Sequence, residues 1–124
     1  MAFKYEQVTG WMIDANETNV ARGYSGSGVN KNNPDSQNLI DQGPIPQGFY
    51  TIGSPEDTET HGPYVLRLTP DPANEMFGRG GFLCHGDSVV NPGTASEGCI
   101  IMPRDARVQI WTSGDHQLQV VSGQ

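Results

Sequence analysis

The residues able to do chemistry are concentrated in one stretch, Phe82–Arg104, which reads FLCHGDSVVNPGTASEGCIIMPR. An apolar approach ends in His85-Gly86-Asp87, a loop of Asn, Pro, Gly and Thr follows, and Ser96-Glu97-Gly98-Cys99 opens a second apolar run. A cysteine attacks as its thiolate, and a histidine in reach lowers the thiol pKa and takes the proton. Thirteen residues separate His85 from Cys99. With Pro92 and Gly93 to turn it, a loop of that length can bring the two side chains together. Gly98 keeps the backbone beside the nucleophile uncluttered, so that neighbouring amides can face a developing oxyanion. The alternative is a buried core cysteine and a histidine at a hairpin tip. Cys84 adjoins His85, so strand alternation sends its side chain to the opposite face, into the core. Arg79, flanked by glycines just ahead of the stretch, is either a surface group or a fork for a substrate carboxylate.

Short strands must hold these residues. A length of 124 residues gives one domain, residues 1–124, with a single core. Sixteen Gly and nine Pro leave little room for long helices and favour a mainly β fold. Phe3–Val8 and Trp11-Met12-Ile13 predict an opening hairpin, and residues 14–38 read as a long polar loop. Pro44 and Pro46 stiffen the turn into a strand at 49–53, and a second strand spans 64–69. Glu56–Thr60 reads as an acidic exposed tip. His61 precedes the second strand as a lone loop histidine, more in keeping with solvent than with chemistry. Residues 74–77 suggest one helical turn. Pro103 suits the first position of a short helix with Asp105 in its first turn, an apolar stripe of Val108 and Trp111, and Gly114 at its end. A final strand covers 118–121.

Charge and cysteine usage exclude several classes. A net charge of −7 and a pI near 4.6 argue against nucleic acid or an anionic membrane surface as partner. No apolar run is long enough to span a bilayer, so no membrane insertion is expected. The N-terminal MAFKYEQVTG is too polar for a secretory signal. A protein made in the cytoplasm and acting outside would then leave by a route that needs no cleaved signal. Two cysteines make no disulfide framework. A metal site built from His61, His85, Asp87 and Cys99 has no ligand pair at zinc-like spacing.

His-Gly, a loop, then Ser-x-Gly-Cys resembles the active-site signature of the L,D-transpeptidases. The fuller strings GRGGFLCHGD and GTASEGCIIMPR, with GPIPQGFY upstream, most resemble one branch. These are the small L,D-transpeptidase-like effectors that bacteria deliver through type VI secretion against rivals' peptidoglycan. The resemblance runs from about Tyr24 to the C-terminus. It implies an L,D-transpeptidase-like β-sandwich or barrel with one short helix after the cysteine. It also implies an enzyme in which Cys99 attacks the carbonyl of the position-3 diamino acid and expels the position-4 D-residue. His85 would serve as base and then acid, oriented by a backbone carbonyl near Gly86 or, alternatively, by Asp87. Ser96 would shape the loop, and the Gly98 and Cys99 amides would hold the oxyanion.

Two positions depart from the wider transpeptidase pattern. Glu97 stands where a second histidine is usual, which matches the secreted branch, and Ile101 stands where an arginine is usual. Arg104 is the nearest replacement for that arginine. Arg79, Arg104, Glu97 and Tyr24, the last in a segment that the resemblance puts beside the cleft, are the candidate substrate contacts. The implied partners are peptidoglycan stem peptides, a cognate immunity protein and a component of the secretion system. No metal or organic cofactor is implied, and the expected place of action is the periplasm of a target bacterium. A non-catalytic wall-binding module and a metal-dependent peptidase are the readings from other classes.

Overall fold

A computed structural model describes residues 2–123. Ten strands and one α-helix follow the chain: β1 (Phe3–Glu6), β2 (Trp11–Ile13), β3 (Asn19–Arg22), β4 (Tyr24–Ser25), β5 (Gly48–Ile52), β6 (Glu56–Thr58), β7 (Gly62–Pro70), β8 (Leu83–His85), β9 (Ile100–Ile101), α1 (Arg104–Thr112) and β10 (Gln117–Val121). The fold is therefore mainly β, as the glycine and proline content implies. The strands form one mixed sheet in the order β3-β2-β1-β10-β5-β7-β8-β9-β4, with β6 paired to β7 off this path. β1 runs parallel to β10, so the first and last strands lie side by side inside the sheet.

The expected sandwich or closed barrel is replaced by an open sheet. Its edge strands β3 and β4 make no ladder with each other, yet one residue, Gly23, joins them in sequence. The two edges are thus brought together by a covalent step instead of by strand pairing. Only glycine fits there. The Gly23 amide donates to the Gly10 carbonyl at 2.8 Å, and a Cβ on Gly23 would stand 1.7 Å from the Ile101 carbonyl oxygen.

Several local expectations change. The stretch 14–38 holds β3, β4 and two single 3-10 turns, at Gly28–Asn30 and Pro34–Ser36, so it is a built segment. Glu56–Thr58, read as a free tip, is a short strand on β7. No helical turn forms at 74–77, because the Asn74 side chain is held flat against β5. Its Oδ1 accepts from the Phe49 amide at 3.0 Å, and its Nδ2 donates to the Phe49 carbonyl at 2.8 Å. α1 begins one residue after Pro103, which was expected at its first position, and its buried residues are Ala106, Arg107 and Ile110. Of the stripe read from Val108 and Trp111, Trp111 is partly buried against the core and also stacks on His116 with ring centroids 4.0 Å apart, whereas the fully buried apolar positions are Ala106 and Ile110.

The core is one cluster that includes Tyr5, Met12, Ile45, Tyr50, Leu66, Ile100, Met102, Ile110 and Leu118. Alternation sorts the residues of β8 and β9. Cys84 and Ile100 go into this cluster, where burial pushes the Cys84 thiol up to about 12. Residues one place along on each strand therefore share the other face of the sheet.

Candidate active site

β8 and β9 pair in parallel with Cys84 opposite Ile100 and His85 opposite Ile101. One step back along the same ladder, Cys99 stands beside Leu83, whose amide is directed at the sulfur. Cys99 and His85 thus project from one face of two neighbouring strands, displaced by a dipeptide, about 7 Å along the strand direction. Both line a cleft of about 900 Å³. Parallel neighbours need a long crossover, usually a helix. Here the crossover is the irregular loop 86–98, and its internal bonds take the helix's place.

His85 is buried, and its Nδ1 lies 2.8 Å from the Gly86 carbonyl oxygen. A carbonyl can only accept, so Nδ1 carries the proton and Nε2 offers its lone pair to the cleft. Burial holds the His85 pKa below its ordinary value. The Gly86 contact works against that shift, whereas the charges of His61 and Arg107 add to it. Burial likewise pushes the Cys99 thiol up; the Leu83 amide opposes this, Glu97 adds to it, and Arg79 opposes it. Both shifts favour the uncharged forms, a thiol and an imidazole on one cleft wall, which is the state that general-base activation requires.

Ser96 organises the turn into the nucleophile. Its buried Oγ accepts from the Gly26 amide at 2.9 Å and the Gly98 amide at 3.1 Å, and it donates to the Cys99 carbonyl at 2.6 Å. The Gly98 amide is therefore committed to Ser96, which takes it out of the oxyanion role expected of it. Gly98 itself has φ of 144°, and a Cβ there would lie 2.5 Å from Arg79 Nη2.

Asp87 does not reach toward the imidazole as the alternative orienting group. Its Oδ1 accepts from the Tyr24 hydroxyl at 2.6 Å and the Ser88 amide at 2.8 Å, and both its oxygens lie 3.1 Å from the Gly93 amide. Tyr24 lies outside the cleft lining and is a strut: its hydroxyl also accepts from the Ala95 amide at 2.9 Å. Lys31 packs over the Tyr24 ring at 4.4 Å and donates to the Gly93 carbonyl at 2.6 Å. Tyr24 and Lys31, both remote in sequence, thereby pin the crossover loop.

The two expected arginine contacts are redistributed. Arg79 lines the cleft, but its Nη1 donates to the carbonyls of Gln37 at 2.6 Å and Pro44 at 2.8 Å. Its Nη2 donates to Gly43 at 2.9 Å and Glu97 at 3.3 Å. Its fork is filled by backbone, so it staples the 37–44 segment to the nucleophile turn. Arg104 lies outside the lining, exposed, with its guanidinium 5.6 Å from the centroid of the Tyr64 ring. Glu97 lines the cleft and is exposed.

Two cleft residues were not among the expected catalytic or substrate-binding residues. His61, on the turn between β6 and β7, sits with its ring centroid 4.7 Å from that of His85. Arg107, one turn beyond Arg104, also lines the cleft. The signal for Arg107 was the Ala106–Ile110 spacing of four residues, which places the neighbouring arginine on the sheet-facing side of α1. No comparable local signal marks His61, whose position depends on the β6–β7 pairing. Among the described residues, no group of three or more His, Cys, Asp or Glu side chains converges as metal ligands. None of their helices is long and apolar enough to cross a membrane.

Comparison with known proteins agrees with the motif. Neither the curated proteins nor the solved structures contain a match to the chain. The Tlde1 domain profile, however, matches residues 19–122, from β3 through β10 and across both strands of the cleft. By that match the chain belongs to the Tlde1 domain family, the type VI secretion effector branch that its His…Ser-x-Gly-Cys motif resembles.

Proposed function

We propose that this effector is a cysteine acyl-transfer enzyme acting on peptidoglycan stem peptides, an L,D-carboxypeptidase with L,D-transpeptidase or D-amino-acid exchange activity. The observation that carries the reading is the placement of Cys99 and His85 on one cleft face, with Nδ1 held by the Gly86 carbonyl and Nε2 left open. Nε2 takes the thiol proton as the sulfur attacks the carbonyl between the position-3 diamino acid and the position-4 D-residue. The tetrahedral oxyanion is met by the Cys99 amide, since the Gly98 amide is bonded to Ser96. The intermediate collapses with the C–N bond breaking, and the imidazolium returns its proton to the departing amine. Water then resolves the thioester to a carboxylic acid, or an amine resolves it to a new amide. A place of action in the target's periplasm, an immunity protein over the cleft and a loading partner in the secretion system belong to the same proposal.

The test is mass spectrometry of muropeptides after incubation with purified protein. Wild type should convert tetrapeptide stems to tripeptides, or exchange the terminal residue when a free D-amino acid is supplied. Cys99→Ala and His85→Ala should do neither while keeping the wild-type circular dichroism. Cys84→Ala should retain most turnover. Binding to the wall without any product in the wild type would leave a binding module in place of an enzyme.

A further inference from the structure

Of the two arginines that line the cleft, Arg79 has both terminal nitrogens bonded to backbone carbonyls, whereas Arg107 keeps one terminal nitrogen, Nη2, without a hydrogen bond among the described residues. Arg107 is 5% exposed. Its Nη1 donates to the Pro63 and Tyr64 carbonyls, at 3.0 Å each, which fixes the plane of the guanidinium. Its Nε is buried without an acceptor, and its Nη2 makes no hydrogen bond among the described residues. Nε is closed to a ligand by its burial, so Nη2 is the donor that a carboxylate oxygen can meet, in a charge-assisted bond. A buried cation with an unpaired donor on a cleft wall is costly, and an anionic ligand oxygen is the group that removes the cost.

Its position selects which carboxylate. Nη2 packs over Gly86, where an added Cβ would stand 3.0 Å from it. Arg107 therefore sits behind the base, whereas Arg79 sits behind the nucleophile turn. An amine that departs with a proton from His85 leaves toward that end of the cleft. In an amino acid, the α-carboxylate is one carbon removed from the amine. The free Nη2 of Arg107 is thus placed for the α-carboxylate of the leaving residue and not for groups on the acyl side.

We propose that Arg107 binds the free α-carboxylate of the residue expelled from the substrate, and so restricts cleavage to a chain-terminal amino acid. The inference rests on the acyl-transfer reading for the direction of departure. The same contact would receive the carboxylate of any amino acid that enters as acceptor. Arg107 is a substrate-binding residue here, beside its structural bonds to Pro63 and Tyr64.

The experiment separates those roles and does not depend on turnover. Binding of two ligands to the Cys99→Ala protein is measured by calorimetric titration: a tetrapeptide stem with a free C-terminal carboxylate and the same peptide as its C-terminal carboxamide. The acid should bind at least about tenfold more tightly than the amide, the ratio that 1.4 kcal/mol implies. Adding Arg107→Gln should bring the two affinities together, and Arg107→Lys should restore part of the preference. A merely structural arginine would weaken both ligands alike and leave the ratio unchanged. Equal affinity for acid and amide before Arg107 is altered overturns the proposal without reference to how the variants fold. A preference that survives Arg107→Gln overturns it as well. Failure of the wild type to cleave any stem, with the binding preference intact, counts against the enzyme reading and not against this one.

Discussion

At the residue scale the site holds a cysteine, a histidine and an arginine whose two terminal nitrogens are taken up by backbone carbonyls. Burial lowers the His85 pKa and raises that of Cys99, so activity should require neutral His85 and fall as pH drops through its lowered pKa. His61 adds both cover and like charge to His85. Its replacement in His61→Gln should raise the His85 pKa, moving the acid limb of kcat/KM to higher pH. Proton titration of the His85 ring by NMR should move the same way; an unmoved or lowered midpoint would deny His61 that influence. Arg79 calls for a different readout. Charge-assisted bonds contribute about 1.5–3 kcal/mol each, and replacing a fork that reaches four carbonyls should cost about 3 kcal/mol of stability in Arg79→Lys. Denaturant unfolding should show that loss. A variant as stable as wild type with only KM raised would return Arg79 to the substrate.

At the element scale the notable feature is a parallel pair, β8 and β9, joined by a loop that side chains hold in shape. Tyr24 supports that loop from β4 through Asp87 and Ala95. Tyr24→Phe keeps the ring under Lys31 but removes both bonds, so stability should fall by about 1 kcal/mol. Turnover should fall more than binding, because the loop carries Cys99 at one end and His85 at the other. Steady-state kinetics beside thermal unfolding checks this, and an unchanged kcat would mean that the loop holds without the strut. Much of this site was legible in sequence. That His85 and Cys99 reach one cleft and that Cys84 goes to the core follow from spacing and alternation, and the strands expected at 49–53 and 64–69 lie within two residues of β5 and β7. What was not legible is long-range. Nothing local shows that Arg79 would meet carbonyls 35 to 42 residues away, or that Asp87 would turn to Tyr24, 63 residues away. The helix face was only half read: Trp111 does pack against the core, but the fully buried Ala106–Ile110 pair is less conspicuous in sequence than Val108.

At the scale of the whole molecule, a chain of net charge −7 offers a peptide rich in carboxylates no long-range attraction. Affinity must come from contacts made inside the cleft, which suits a site with one donor of a buried arginine open and another arginine closed off. The sheet serves the same end. Its edges are joined through Gly23 and its first and last strands are paired in the middle, so β8, β9 and the helix that bears Arg107 rest on one continuous core. The central claim is that this core presents Cys99 to a stem-peptide carbonyl as a nucleophile, and it predicts a thioester on that one residue. The most direct measurement is mass spectrometric peptide mapping of protein quenched in acid during turnover of a disaccharide tetrapeptide. The fragment holding Cys99 should carry the disaccharide tripeptide acyl group, with the D-amino acid released in equal amount and Cys84 unmodified. Release of the D-amino acid by a Cys99→Ala protein at the wild-type rate, with no adduct on any cysteine, would contradict the account.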